Sequence, residues 1–82
     1  MEKQIGSINI VITDREAVAI VNRLLSQYAD MIYSRNGMPL REENLCIISL
    51  IIKGSADDIN AFTGKLGRIK GVKVRSILIK TI

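Results

Sequence analysis

Histidine and tryptophan are absent from this 82-residue chain, and cysteine, proline and phenylalanine each occur once. Without histidine, one chain can build neither a His-based catalytic triad nor a His-containing zinc site. A single cysteine excludes an all-cysteine zinc site and an internal disulfide, and Cys46 fits a reducing cytoplasm where thiols stay free. Only three aromatic residues are present, two Tyr and one Phe, so a broad stacking platform for single-stranded nucleic acid is not expected. The longest strongly apolar run, Leu45 to Ile52, falls far short of the roughly 20 residues a membrane helix needs, and the N-terminus carries no signal-peptide pattern. No metal, cofactor or membrane is therefore expected as a partner.

What the chain does contain is a periodic apolar pattern. Hydrophobic residues make up 48% against 24% charged, the balance of a globular domain, and no linker or low-complexity stretch divides residues 1 to 82. Ile8, Ile10 and Ile12 alternate with polar or smaller neighbours, a period of two that predicts a strand with one buried face. Thr13 precedes Glu16 by three residues, the spacing of a capping box, so a helix is expected there, with Ala17, Val21, Leu24 and Tyr28 along its apolar stripe. Met31 to Arg35 reads as a short second strand closed by a turn at Asn36-Gly37, and Met38 to Glu42 as a loop or frayed strand edge because Pro39 lacks a donor.

Leu45 to Ile52 predicts a third strand, apolar on both faces. Ser55 and Asp58 repeat the capping pattern ahead of a helix whose stripe is Ile59, Phe62, Leu66 and Ile69. Gly71 fits the turn into a last strand, Val72 to Ile79. The order βαββαβ predicts an α+β, ferredoxin-like sandwich: a four-stranded antiparallel sheet with two helices on one face. The sheet's other face is left uncovered but apolar, and a second copy of the chain is expected to cover it.

Three groups of residues are candidates for function. The segment from Arg35 to Asn44 gathers Arg35, Gly37, Pro39, Arg41, Glu42, Glu43 and Asn44 between two apolar strands. Its arginines are suited to gripping an anion and its acids to accepting donors, although a solvated hairpin has the same composition. Gly64-Lys65-Leu66-Gly67, with Arg68 beside it, has the GxxG spacing of a nucleic-acid backbone clamp; on a helical stripe the same glycines let the helix approach the sheet or another chain. Charge is also uneven. Residues 63 to 82 carry six basic side chains and no acid, while residues 1 to 62 carry six basic and eight acidic ones. That excess suits phosphate, or else lysines guarding an edge strand. Cys46, inside the most apolar strand, is expected to be packed and slow to react.

Taken together, Val11-Ile12-Thr13-Asp14-Arg15-Glu16, Gly37 with Pro39, Arg41-Glu42-Glu43-Asn44-Leu45-Cys46-Ile47-Ile48 and Gly64-Lys65-Leu66-Gly67-Arg68-Ile69-Lys70-Gly71-Val72-Lys73-Val74 resemble the iron-only hydrogenase system regulators. The resemblance implies an ACT-like domain similar to the regulatory domain of nickel-responsive repressors, assembled as dimers or tetramers. It departs from those repressors in having no DNA-binding arm and no histidine for nickel. It implies a cytoplasmic, non-enzymatic regulator with no catalytic residues, responding to a small-molecule effector or a hydrogenase-system protein. Nucleic-acid binding through the basic C-terminal quarter is the alternative.

Overall fold

The computed structural model describes residues 2–82. Four strands, β1 (Gln4–Ile12), β2 (Ile32–Leu40), β3 (Leu45–Gly54) and β4 (Val72–Thr81), alternate with α1 (Ala17–Gln27) and α2 (Ala56–Gly67), and a single 3-10 turn, Ala29–Met31, leads into β2. The sheet order is β2-β3-β1-β4, every neighbouring pair antiparallel, as expected for the ferredoxin-like sandwich. Both edges, β2 and β4, are reached by crossings that carry a helix over the same face.

Alternation along the strands decides what that face buries. Ile8, Ile10 and Ile12 of β1 stand beside Leu50, Ile48 and Cys46 of β3, and all but the half-buried cysteine are closed to solvent. Val21 and Leu25 of α1 and Phe62 and Leu66 of α2 complete the core from above. At about 25 cal/mol per Å² of apolar area, each fully buried Ile, Leu or Phe side chain contributes about 1.5 to 3 kcal/mol before entropy is subtracted. The helices also meet directly. The Tyr28 and Phe62 rings lie 4.6 Å apart, and Lys65 Nζ donates to the Tyr28 hydroxyl at 2.9 Å.

The opposite face carries the other residues of the alternation. Leu45, Ile47 and Ile51 of β3 pair in register with Leu40, Met38 and Ser34 of β2. A polar row crosses its middle, Asn36, Ser49, Asn9 and Arg75 in successive strands, with Ser49 Oγ donating to Asn9 Oδ1 at 2.7 Å.

Three local expectations are corrected. Thr13 and Glu16 form no capping box: Asp14 Oδ1 accepts from the Glu16 N–H at 3.0 Å, and no side chain of Glu16 caps α1. An aspartate two residues ahead satisfies the free amide as an Asx turn does, which releases Thr13 for another partner. The second strand does not end at Arg35. β2 continues through Asn36, Gly37 and Pro39, because the apolar β3 offers a ladder along its whole length and an edge strand tolerates one missing donor. The turn lies instead at residues 41–44, where Asn44 takes the left-handed conformation (φ 56°) and its N–H donates to Arg41 O at 3.2 Å. Ser55, by contrast, caps α2 as its spacing predicts, accepting from the Asp58 N–H at 3.1 Å.

Candidate functional site

A cleft of about 900 Å³ opens at one end of the sheet, between the β1–α1 turn and the β2–β3 hairpin. Its walls are apolar, from Ile12, Val18, Pro39, Leu40 and Leu45, with Cys46 among them. Its polar groups come from two turns: Thr13, Asp14 and Arg15 on one side, Arg41 and Asn44 on the other. The cleft is open to solvent on its polar side, where Thr13, Arg15, Arg41 and Asn44 are exposed, and an apolar hollow with a few polar groups is the make-up of a small-molecule site.

The β1–α1 side is held from below. The Thr13 backbone N–H and hydroxyl both donate to Gly71 O, at 2.8 and 3.2 Å, which anchors the turn to the start of β4. The hairpin side is held by the β2–β3 ladder, where Leu40 faces Leu45 and Pro39 faces Cys46. Arg15 and Arg41 thus project from two turns, each tethered to the sheet. Both guanidiniums are fixed cations suited to bidentate contact with carboxylate or phosphate.

The candidate residues of the 35–44 segment separate into two groups. Arg35, Gly37 and Pro39 occupy alternate positions of β2 on the helix-covered side of the sheet, paired with Leu50, Ile48 and Cys46. Arg35 lies outside the cleft and is engaged elsewhere, with Nη2 donating to Asn22 Oδ1 of α1 at 2.6 Å. Pro39, Arg41 and Asn44 line the cleft, whereas Gly37, Glu42 and Glu43 do not, and both glutamates are exposed. Arg15 was not singled out in the sequence because its turn reads as a helix cap. The only signal was a second cation immediately after a strand end, at the same end of the sheet as the hairpin.

Gly64 and Gly67 lie on the solvent side of α2, within one continuous helix, and a Cβ at either would meet nothing within 4 Å. They serve no close approach to the sheet, which corrects that half of the packing reading and leaves approach to another chain as the other. Nor do they form a turn between helices of the kind that wraps a phosphate. Lys65 and Arg68 belong to this helix and its cap, while Lys73 and Arg75 stand beside Val11 and Asn9 on the uncovered sheet face. The basic C-terminal quarter is thereby divided between two faces. Cys46 packs against the core yet is only half-buried, because it stands at the strand end where the cleft begins.

The family model described as "TM1266-like: Iron-only hydrogenase system regulator, putative" matches residues 4–76. The chain belongs to this family. The protein TM1266 from Thermotoga maritima is 40% identical and superposes with a TM-score of 0.91, over 95% of this chain and 99% of that one. Two larger enzymes share the fold alone. A formyltetrahydrofolate deformylase from Pseudomonas syringae pv. tomato matches at 14% identity and TM-score 0.66, over 95% of this chain and 28% of its own. A homoserine dehydrogenase from Thiobacillus denitrificans matches at 20% identity and TM-score 0.64, over 95% of this chain and 18% of its own. No curated protein matches the sequence. Among the described residues, no helix is long and apolar enough to cross a membrane.

Proposed function

We propose that this iron-only hydrogenase system regulator is a non-enzymatic, ACT-like module that assembles as a homo-oligomer and binds a small anionic effector in the cleft between the β1–α1 turn and the β2–β3 hairpin. The observation that carries this reading is the convergence of Arg15 and Arg41, from two separate turns, on one apolar-walled cavity. The arginines take the carboxylate or phosphate of the ligand and the apolar walls take its body. Binding there links β1, α1 and the hairpin, so a ligand that favours one arrangement of these turns biases assembly or partner choice.

The test is calorimetric titration of the wild-type protein with a panel of small carboxylates and phosphate esters, with subunit number followed by light scattering. One compound should bind saturably, and Arg41→Ala should weaken it about tenfold while shifting stability by no more than about 0.5 kcal/mol. Absence of binding by the whole panel, together with DNA or RNA binding that weakens steeply with salt, would favour the nucleic-acid alternative. The division of the basic residues between two faces speaks against that alternative.

A further inference from the structure

Polarity is graded across the cleft. Thr13, Arg15, Arg41 and Asn44 are exposed at its opening, whereas Ile12 is buried and Val18, Leu40 and Leu45 are half-buried. Of the apolar lining only Pro39 lies exposed, so the recessed surface is aliphatic and the charge stays at the rim. Two polar side chains are already engaged by the chain itself. The Thr13 hydroxyl donates to Gly71 O at 3.2 Å, and Asp14 Oδ1 accepts from the Glu16 N–H at 3.0 Å. What remains to meet a ligand is two guanidiniums and the Asn44 amide.

The recessed surface offers little else. Its backbone runs within the sheet, where Cys46 stands between Ile12 and Pro39 in the β1–β3 and β2–β3 ladders. The Cys46 thiol behaves there as a small, weakly polar group. No aromatic ring lines the cleft: Tyr28 lies 4.6 Å from Phe62 between the helices, and Tyr33 is exposed on β2.

We infer that the effector is an aliphatic amphiphile, an unsubstituted hydrocarbon chain ending in a single anionic head, carboxylate or phosphate. This rests on the cleft proposed above and narrows what the cleft takes. The head meets Arg15 and Arg41 at the rim, where a planar fork can hold two oxygens. The chain lies on Val18, Leu40 and Leu45. A sugar phosphate or a dicarboxylate would set hydroxyls or a second charge on that aliphatic surface, where a desolvated polar group without a partner is costly. A nucleotide would find no ring on which to stack its base. The volume, about 900 Å³, accommodates a chain of several carbons and is far more than acetate needs.

Calorimetric titration of the full chain with straight-chain carboxylates from acetate to octanoate, below their micelle-forming concentrations, tests the inference. Affinity should rise about fourfold per methylene over several members and then level off as the cleft fills. Matching alkyl phosphates, titrated in parallel, decide between the two heads. Arg41→Ala should weaken every member by a similar factor. Leu45→Ser, with circular dichroism to verify folding, should weaken the long members and spare acetate. A hydroxyl on the chain should weaken binding about tenfold. Labelling of Cys46 should slow more under the longer acids, which locates the chain in the cleft rather than on the uncovered sheet face.

Flat affinity along the series would overturn the inference, as would tighter binding of an α-amino acid than of the plain acid of equal length. So would chain-length dependence that leaves Cys46 labelling unchanged. A sugar phosphate, dicarboxylate or nucleotide that outbinds the alkanoates, and does so through Arg41, would remove the amphiphile and keep the cleft as an anion site. If no anion binds through Arg41, the cleft reading falls and the amphiphile falls with it.

Discussion

Thr13 and Gly71, 58 residues apart, are joined by two hydrogen bonds on a single carbonyl: the Thr13 N–H and its hydroxyl both donate to Gly71 O. Gly71 can present that carbonyl because it sits at φ +80°, and a Cβ there would collide with the Asp14 Cβ. Positive φ and the close approach act in the same direction, so Gly71→Ala should lower stability by about 2 to 4 kcal/mol. It should also displace the β1–α1 turn. Urea unfolding reads the first effect and effector titration the second; a loss below about 1 kcal/mol would show that the turn relaxes freely.

The other glycines differ in kind. Gly64 is exposed in the interior of α2 with open space where a Cβ would go. Glycine inside a helix costs about 0.5 to 1 kcal/mol relative to alanine, so Gly64→Ala should raise stability by about that amount. At Gly54 a Cβ would meet Met31 Sδ at 2.9 Å, and although a thioether side chain can shift, Gly54→Ala should cost about 1 kcal/mol. Thermal melts of the pair decide it. Matching shifts of the same sign would contradict the difference in their surroundings.

Where a physical rule acts within a few residues, the fold could be read from the chain. The Ile8, Ile10, Ile12 alternation fixed which side of β1 is buried, and Ser55 with Asp58 placed the start of α2 because a hydroxyl and an amide three residues on satisfy each other locally. The rules failed where a distant partner decided the outcome. Asn36-Gly37 has turn chemistry, yet β3 supplies a partner for each of these residues, and the ladder carries the chain on to residue 40. Thr13 has cap chemistry, yet Gly71 holds it and Asp14 takes over the amide. The hairpin half of the cleft was legible as a polar segment between apolar strands. Arg15 was not, since the cleft that it lines together with Arg41 exists only after β1 and β3 have paired.

Arg35 and Arg41 should therefore respond differently to truncation. Arg35 is held by Asn22 across the β2–α1 gap, at an exposed position. Arg35→Ala should cost up to about 1 kcal/mol, the range of a surface polar contact, and leave effector affinity unchanged. Arg41→Ala should leave stability unchanged and weaken binding. Measuring unfolding and titration on both variants separates the roles, and equal losses of affinity would return Arg35 to the binding site.

Cys46 offers a reporter at the floor of the same cleft. Its position in an Ile-rich strand predicts a packed, slowly reacting thiol, and the side chain packs against the core while only half-buried, opposite Pro39 and next to Ile12, where the cleft meets the sheet. A thiol in that position is reached by a small reagent without unfolding the protein, more slowly than in the denatured chain and more slowly still by a bulky reagent. The carboxylate or phosphate ester that binds in titration should slow the labelling further, to the same half-saturation as the calorimetric curve, because its body fills the space over Cys46. Arg41→Ala should shift that half-saturation to higher concentration without changing the rate in the absence of ligand. Labelling that requires global unfolding would mean that the thiol is sealed from the cleft. Labelling that proceeds unchanged at saturating ligand would place the occupant somewhere other than between these two turns.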